Sequence, residues 1–147
     1  MSVADLAPER VASLVMLSAV GVQEREISGS YTFNHFVHGV QLGVLWFARE
    51  LLPHFGLFSR MRYSVGYARN FYDSDQRPLR RALERYRGPM LILHGVRDSR
   101  VPIQAAREHH RLVANSVLVE FRDDHFMAYM DPTEYSNQLI AFLISDQ

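Results

Sequence analysis

Two short segments hold the residue types that acid–base chemistry needs. One is His94-Gly95-Val96-Arg97-Asp98-Ser99-Arg100-Val101-Pro102, which follows the apolar run Met90-Leu91-Ile92-Leu93. The other is Arg122-Asp123-Asp124-His125-Phe126-Met127, which follows Ser116-Val117-Leu118-Val119-Glu120-Phe121. A carboxylate bonded to an imidazole fixes its tautomer and stabilises the imidazolium formed when the ring takes a proton from a nucleophile. Asp98 is thus the candidate acid and His125 the candidate base. Singly, an aspartate after a strand caps the next helix, and a loop histidine satisfies its own hydrogen bonds. Their placement after two successive runs is what favours chemistry. In an open α/β sheet, the loops beyond the carboxyl ends of the strands gather such residues.

The remaining titratable residues carry less. His35 and His38 stand three apart on an expected helix and share a face, but no third ligand accompanies them, so neither a metal nor a cofactor is expected. His109 and His110 are adjacent, point to different helix faces, and are expected at the surface or boundary. Arg77, Arg81 and Arg85 recur every four residues beside Arg80 and Glu84, the pattern of a solvated helix face rather than a phosphate site. All basic side chains are arginine, which excludes a lysine nucleophile or Schiff base. The absence of cysteine excludes disulfides and thiolate catalysis.

The elements that must position Asp98 and His125 are legible from periodicity. Val11 to Ser18, Met90 to Leu93 and Ser116 to Phe121 read as three strands, the first two apolar enough to be covered on both faces. Pro8-Glu9-Arg10 marks a turn before the first. Pro102 opens a helix through Val113, and Asp131-Pro132-Thr133-Glu134 starts a closing amphipathic helix with Asp131 as its N-cap. Strands alternating with helices predict an α/β fold with a mostly parallel sheet of about three strands and flanking helices. Residues 28–87 are aromatic-rich and too long for an ordinary connection. They read as a helical cap insertion in which Tyr31, Trp46, Phe55, Phe58, Tyr63 and Phe71, among others, could wall an apolar pocket.

Composition narrows the classes. The 147 residues, 48% hydrophobic and 22% charged, fit one domain, with 1–27 and 88–147 as its core. A net charge of zero argues against nucleic acid as a partner. No apolar segment is long enough to span a bilayer, and the N-terminus lacks a signal-peptide pattern, so a cytoplasmic location is expected.

The order strand, His-Gly-x-x-Asp-x-x-Val-Pro, helix, strand, Asp-His-Phe, helix resembles the C-terminal half of the α/β-hydrolase fold family. The resemblance covers roughly the whole chain, with the cap weakest. It implies that the three strands are the sixth, seventh and eighth of that fold, that Asp98 is the triad acid and His125 the triad base, and that His94 shapes the acid loop. Some relatives carry their acid after the first of these strands, which makes Glu24 the second candidate. The family usually has glycine before its histidine, whereas Asp123 and Asp124 stand here, and an adjacent carboxylate would compete with Asp98 for the ring. The family's Gly-x-Ser-x-Gly elbow has no counterpart. A βα crossover consumes about ten to twelve residues, which leaves no room for the elbow strand ahead of Leu14. Ser18, Ser30, Ser64 and Ser99 lack the elbow context. The expectation is therefore a serine-type hydrolase portion acting on a small apolar ester or similar acyl bond, nearly inert alone, whose first strand edge pairs with an N-terminal half or with itself. The alternative is a non-enzymatic module acting through that edge and its aromatic cap.

Overall fold

The computed structural model describes residues 2–51, 64–130 and 132–145. In chain order the elements are α1 (Ser2–Leu6), a 3-10 turn at Pro8–Arg10, β1 (Leu14–Leu17), a second such turn at Gln23–Arg25, α2 (Tyr31–Leu51), α3 (Val65–Asp73), α4 (Arg77–Arg85), β2 (Met90–Gly95), α5 (Ile103–Leu112), β3 (Ser116–Phe121), α6 (Met127–Met130) and α7 (Pro132–Ser145). The strands form one parallel sheet in the order β1-β2-β3. Phe55, Phe58 and Tyr63 of the expected cap, and Asp131, the expected cap of α7, lie outside the described residues.

Two strand boundaries differ from expectation, each for a local reason. β1 is shorter than Val11–Ser18: Val11 closes the Pro8–Arg10 turn by donating to the Pro8 carbonyl, and Ser18 swings into the left-handed region at φ 43°. β2 runs two residues beyond Leu93, because His94 and Gly95 stay in register with Glu120 and Phe121. The apolar run of β2 is buried on both faces. Met90 and Ile92 pack with Leu83 of α4 and with Ala106 and Val113 at α5, while Leu91 and Leu93 pack against Tyr135, Leu139 and Phe142 of α7.

β1 is less well covered. Its outer edge has no partner strand among the described residues. Val15 and Leu17 are each 38% exposed although their register partners Leu91 and Leu93 are buried. No helix among the described residues is long and apolar enough to cross a membrane.

In the segment expected to form a cap, α2 and α3 are joined by rings. His35 stacks on Tyr31 and Tyr72, and His38 on Phe71. Gly39 lets Tyr72 lie close, since a Cβ there would come within 3.2 Å of that ring. On α4, Leu83 turns into the core while Arg77 and Arg85 are exposed and pair with Asp75 and Asp5. Arg80 ties the helix to the core by bonds to Glu24 and Glu108.

Candidate active site

β2 ends at Gly95, and the amide of Asp98 bonds back to the Gly95 carbonyl at 3.1 Å, which closes a turn beyond the strand. Within it the Asp98 carboxylate is fully buried and used at both oxygens. Oδ1 accepts the amides of Arg100 and Val101 at 2.8 Å each, and Oδ2 lies 2.8 Å from His125 Nδ1. Burial pushes the Asp98 pKa up, but the Val101 amide, the His125 bond and the Arg100 amide outweigh it and hold the group below its ordinary value. His94 braces the same turn: its Nε2 donates to the Val101 carbonyl at 2.9 Å and lies 3.5 Å from Asp98 Oδ2.

The loop bearing His125 is laced to this turn through the backbone. The Val96 amide donates to the Phe121 carbonyl and the Arg97 amide to the Asp123 carbonyl, at 2.8 and 3.0 Å. A Cβ on Gly95 would collide with the carbonyls of Asp123 and Asp124, so glycine is what allows the close approach. The expected competition from the preceding acids does not occur. Asp124 Oδ1 instead accepts the Phe126 amide at 2.7 Å, and the ring's Nδ1 bond goes to Asp98. Because that carboxylate takes Nδ1–H, the other ring nitrogen, Nε2, carries the free lone pair. His125 is 31% exposed, and among the described residues Nε2 has no partner.

A cleft of about 370 Å³ opens beside His125 at the carboxyl edge of the sheet. Ser18 and Val20 line it from the end of β1, Arg25, Glu26 and Ile27 from the following connection, His38 from α2, Tyr67 and Phe71 from α3, and Arg100 from the acid turn. This wall is more polar than the aromatic content of the cap suggests. An apolar hollow of about 440 Å³ between α2 and α3, bounded by Leu42, Trp46 and Tyr72, holds neither Asp98 nor His125.

Several residues stand elsewhere than expected. Glu24 points to Arg80 at 2.8 Å and does not line the cleft; its neighbour Glu26 does. His35 and His38 do not converge: His35 is stacked between rings, and His38 Nε2 lies 3.2 Å from Glu26 Oε1. Among the described residues no group of three potential metal ligands occurs. His109 is buried rather than at the surface, with Nε2 donating to the Val20 carbonyl at 2.9 Å, while His110 is exposed. Burial lowers the His109 pKa to about 4. Ser18, which lacks the elbow context, directly follows β1 in the left-handed region, with a buried Oγ that has no hydrogen-bond partner among the described residues. Nothing in the sequence shows that Ser18, Glu26 and His38 line one cleft, since a long helix and a turn have to fold before they meet.

Neither a protein-family model nor a curated protein matches the sequence. Solved structures do match it. A protein described as a non-heme bromoperoxidase, BpoC from Mycobacterium tuberculosis, superposes with a TM-score of 0.72 at 15% identity, over 99% of this chain and 62% of that one. The meta-cleavage product hydrolase from Pseudomonas fluorescens gives 0.63 at 19% identity, over 99% and 60%. MGS-M2, an α/β hydrolase from a Medee basin deep-sea metagenome, gives 0.64 at 13% identity, over 97% and 59%. The chain thus spans about 60% of the length of the structures it matches. Its three parallel strands, flanking helices and cap have the fold of the C-terminal part of an α/β hydrolase.

Proposed function

We propose that this chain is the acid–base and cap portion of a serine-type hydrolase acting on an ester or similar acyl bond, with Asp98 as the acid and His125 as the base. The observation that carries the reading is the 2.8 Å bond from His125 Nδ1 to an Asp98 carboxylate whose other oxygen is fixed by two backbone amides. It holds the ring in the tautomer whose Nε2 accepts a proton from an attacking hydroxyl and later returns it to the leaving group. The sequence contains no Gly-x-Ser-x-Gly elbow. The nucleophile and the oxyanion donors therefore come from outside these 147 residues, through an N-terminal part of the fold that pairs with the open edge of β1. Alone, the chain is nearly inert; completed, it works in the cytoplasm.

The test is co-expression with the product of the adjoining upstream coding sequence, followed by assay on a neutral aryl ester. Hydrolysis by the pair, absent from the chain alone and lowered by about a million-fold in kcat by His125→Ala, is the expected result. An active pair indifferent to His125→Ala sinks the reading. The alternative, a non-enzymatic module, draws on the open β1 edge and on exposed cap side chains such as Phe36 and Trp46, 67% and 57% exposed. An inactive pair that still co-purifies would favour it.

A further inference from the structure

The cleft beside His125 has an imbalance that an uncharged substrate leaves unexplained. Arg25 and Arg100 both line it, from two different strand-end connections, and neither has a carboxylate partner among the described residues. Arg69, Arg77, Arg80, Arg85, Arg107 and Arg111 each hold an aspartate or glutamate, and Arg10, Arg81, Arg97 and Arg122, which among the described residues hold none, do not line the cleft.

The acids nearest the cleft are already engaged. Glu26 Oε1 meets His38 Nε2 at 3.2 Å, and Oε2 accepts from Gln23 Nε2 at 2.8 Å and Asn34 Nδ2 at 3.2 Å. Asp98 is buried, with both oxygens bonded as described above. Two arginines thus line the cleft without a carboxylate partner among the described residues, and a guanidinium fork matches a carboxylate. Arg100 also has a fixed root. Its own amide bonds Asp98 Oδ1, and its guanidinium lies 5.3 Å from the Phe126 ring centroid, next to His125.

We infer that the cleft takes an acidic acyl substrate, a compound with a scissile ester or similar bond and a free carboxylate, with Arg25 and Arg100 as the counter-ions of that carboxylate. The inference rests on the proposed hydrolase reading for which bond lies at His125. The two arginines are substrate-binding residues. They set the distance between the charged end and the reacting carbonyl and discriminate against neutral esters.

Binding is measurable on the chain itself, because without the elbow the ester survives the experiment. The probes are monomethyl glutarate and its uncharged counterpart, the methyl ester of glutaramic acid, titrated while the His125 ring and the Nε–H signals of Arg25 and Arg100 are followed by NMR. Monomethyl glutarate is expected to move all three sets of signals saturably and to weaken as salt rises. The amide, and the monoester on an Arg25→Gln, Arg100→Gln double variant, are each expected to bind about tenfold more weakly. Both arginines are exposed, so the variant keeps its fold, which unchanged amide signals elsewhere verify. Equal binding of the two probes, an unaffected double variant, or no saturable binding of the monoester overturns the inference. Failure here is distinct from failure of the hydrolase reading. A completed protein that hydrolyses neutral and carboxylate-bearing esters equally overturns the substrate class alone. Saturable binding through both arginines, with no hydrolysis by the completed protein, overturns the hydrolase reading alone.

Discussion

At Asp98 the two carboxylate oxygens have separate tasks: Oδ1 holds the turn and Oδ2 holds His125. Asp98→Asn separates them. The amide oxygen still accepts from Arg100 and Val101, but the amide nitrogen then faces His125, so Nδ1 must accept and the proton moves to Nε2. Nitrogen shifts of the ring should report that change of tautomer in the chain alone, and under the proposed hydrolase reading kcat of the completed protein should fall by about 10⁴. His109 makes a different prediction, about stability. Its folded pKa is lowered from 6.5 to about 4, chiefly by burial. Between those values the unfolded chain binds a proton that the folded chain does not. Stability therefore falls as pH drops from about 6.5 to 4, by about 3 kcal/mol. Urea midpoints across that range should show the slope in the wild type and lose it in His109→Gln. The Asp98 carboxylate has the opposite kind of group and the same sense of effect. Its pKa is lowered on folding, so its contribution is present above about pH 4 and is lost on further acidification.

At the scale of elements, the site depends on two strand ends held at close range. Gly95 is where they touch, because any Cβ meets the backbone carbonyls of Asp123 and Asp124. Gly95→Ala should push the His125 loop away from Asp98, and the ring tautomer signal should broaden or vanish even where the sheet stays folded. The cap is tied down by charge as well as by packing. Arg80, on α4, bonds Glu24 after β1 and Glu108 on α5, and Glu108 is held at a pKa of about 2 by Arg111 and Arg80. Arg80→Met is expected to destabilise the chain by about 1–2 kcal/mol in chemical unfolding. Arg80→Lys should recover little of that, since one ammonium does not span both carboxylates with a planar fork.

For the molecule as a whole, the exposed flank of the sheet is the weak point. β1 has an unpaired edge, and Val15 and Leu17 stay 38% exposed beside a buried β2. An apolar edge of this kind templates pairing with another chain. The wild type is expected to self-associate in size exclusion with light scattering, and the Val15→Lys, Leu17→Lys double variant to leave circular dichroism nearly unchanged, to elute as a monomer, and to fail to capture the N-terminal part proposed above. Much of this architecture was legible in the residues. Three strands, the helix after Pro102 and the helix from Pro132 follow from apolar periodicity and from Gly and Pro punctuation, because those signals are local. The nearness of Asp98 to His125 also followed, since parallel neighbours deliver their carboxyl ends to one edge. Tertiary packing decided the rest. The burial of His109 depends on the Val20 carbonyl, distant in sequence. Asp124 accepts the Phe126 amide while Asp98, from another strand end, holds the ring. The polar character of the cleft arises where Arg25, Glu26, His38 and Arg100 converge, from separate elements whose sequences carry no sign of one another. Sequence by itself determined what each element is and which strand ends carry an acid and a base. Only the folded chain decided which charges face each other, because electrostatic and hydrogen-bond partners are set by distance in space, which local periodicity does not encode.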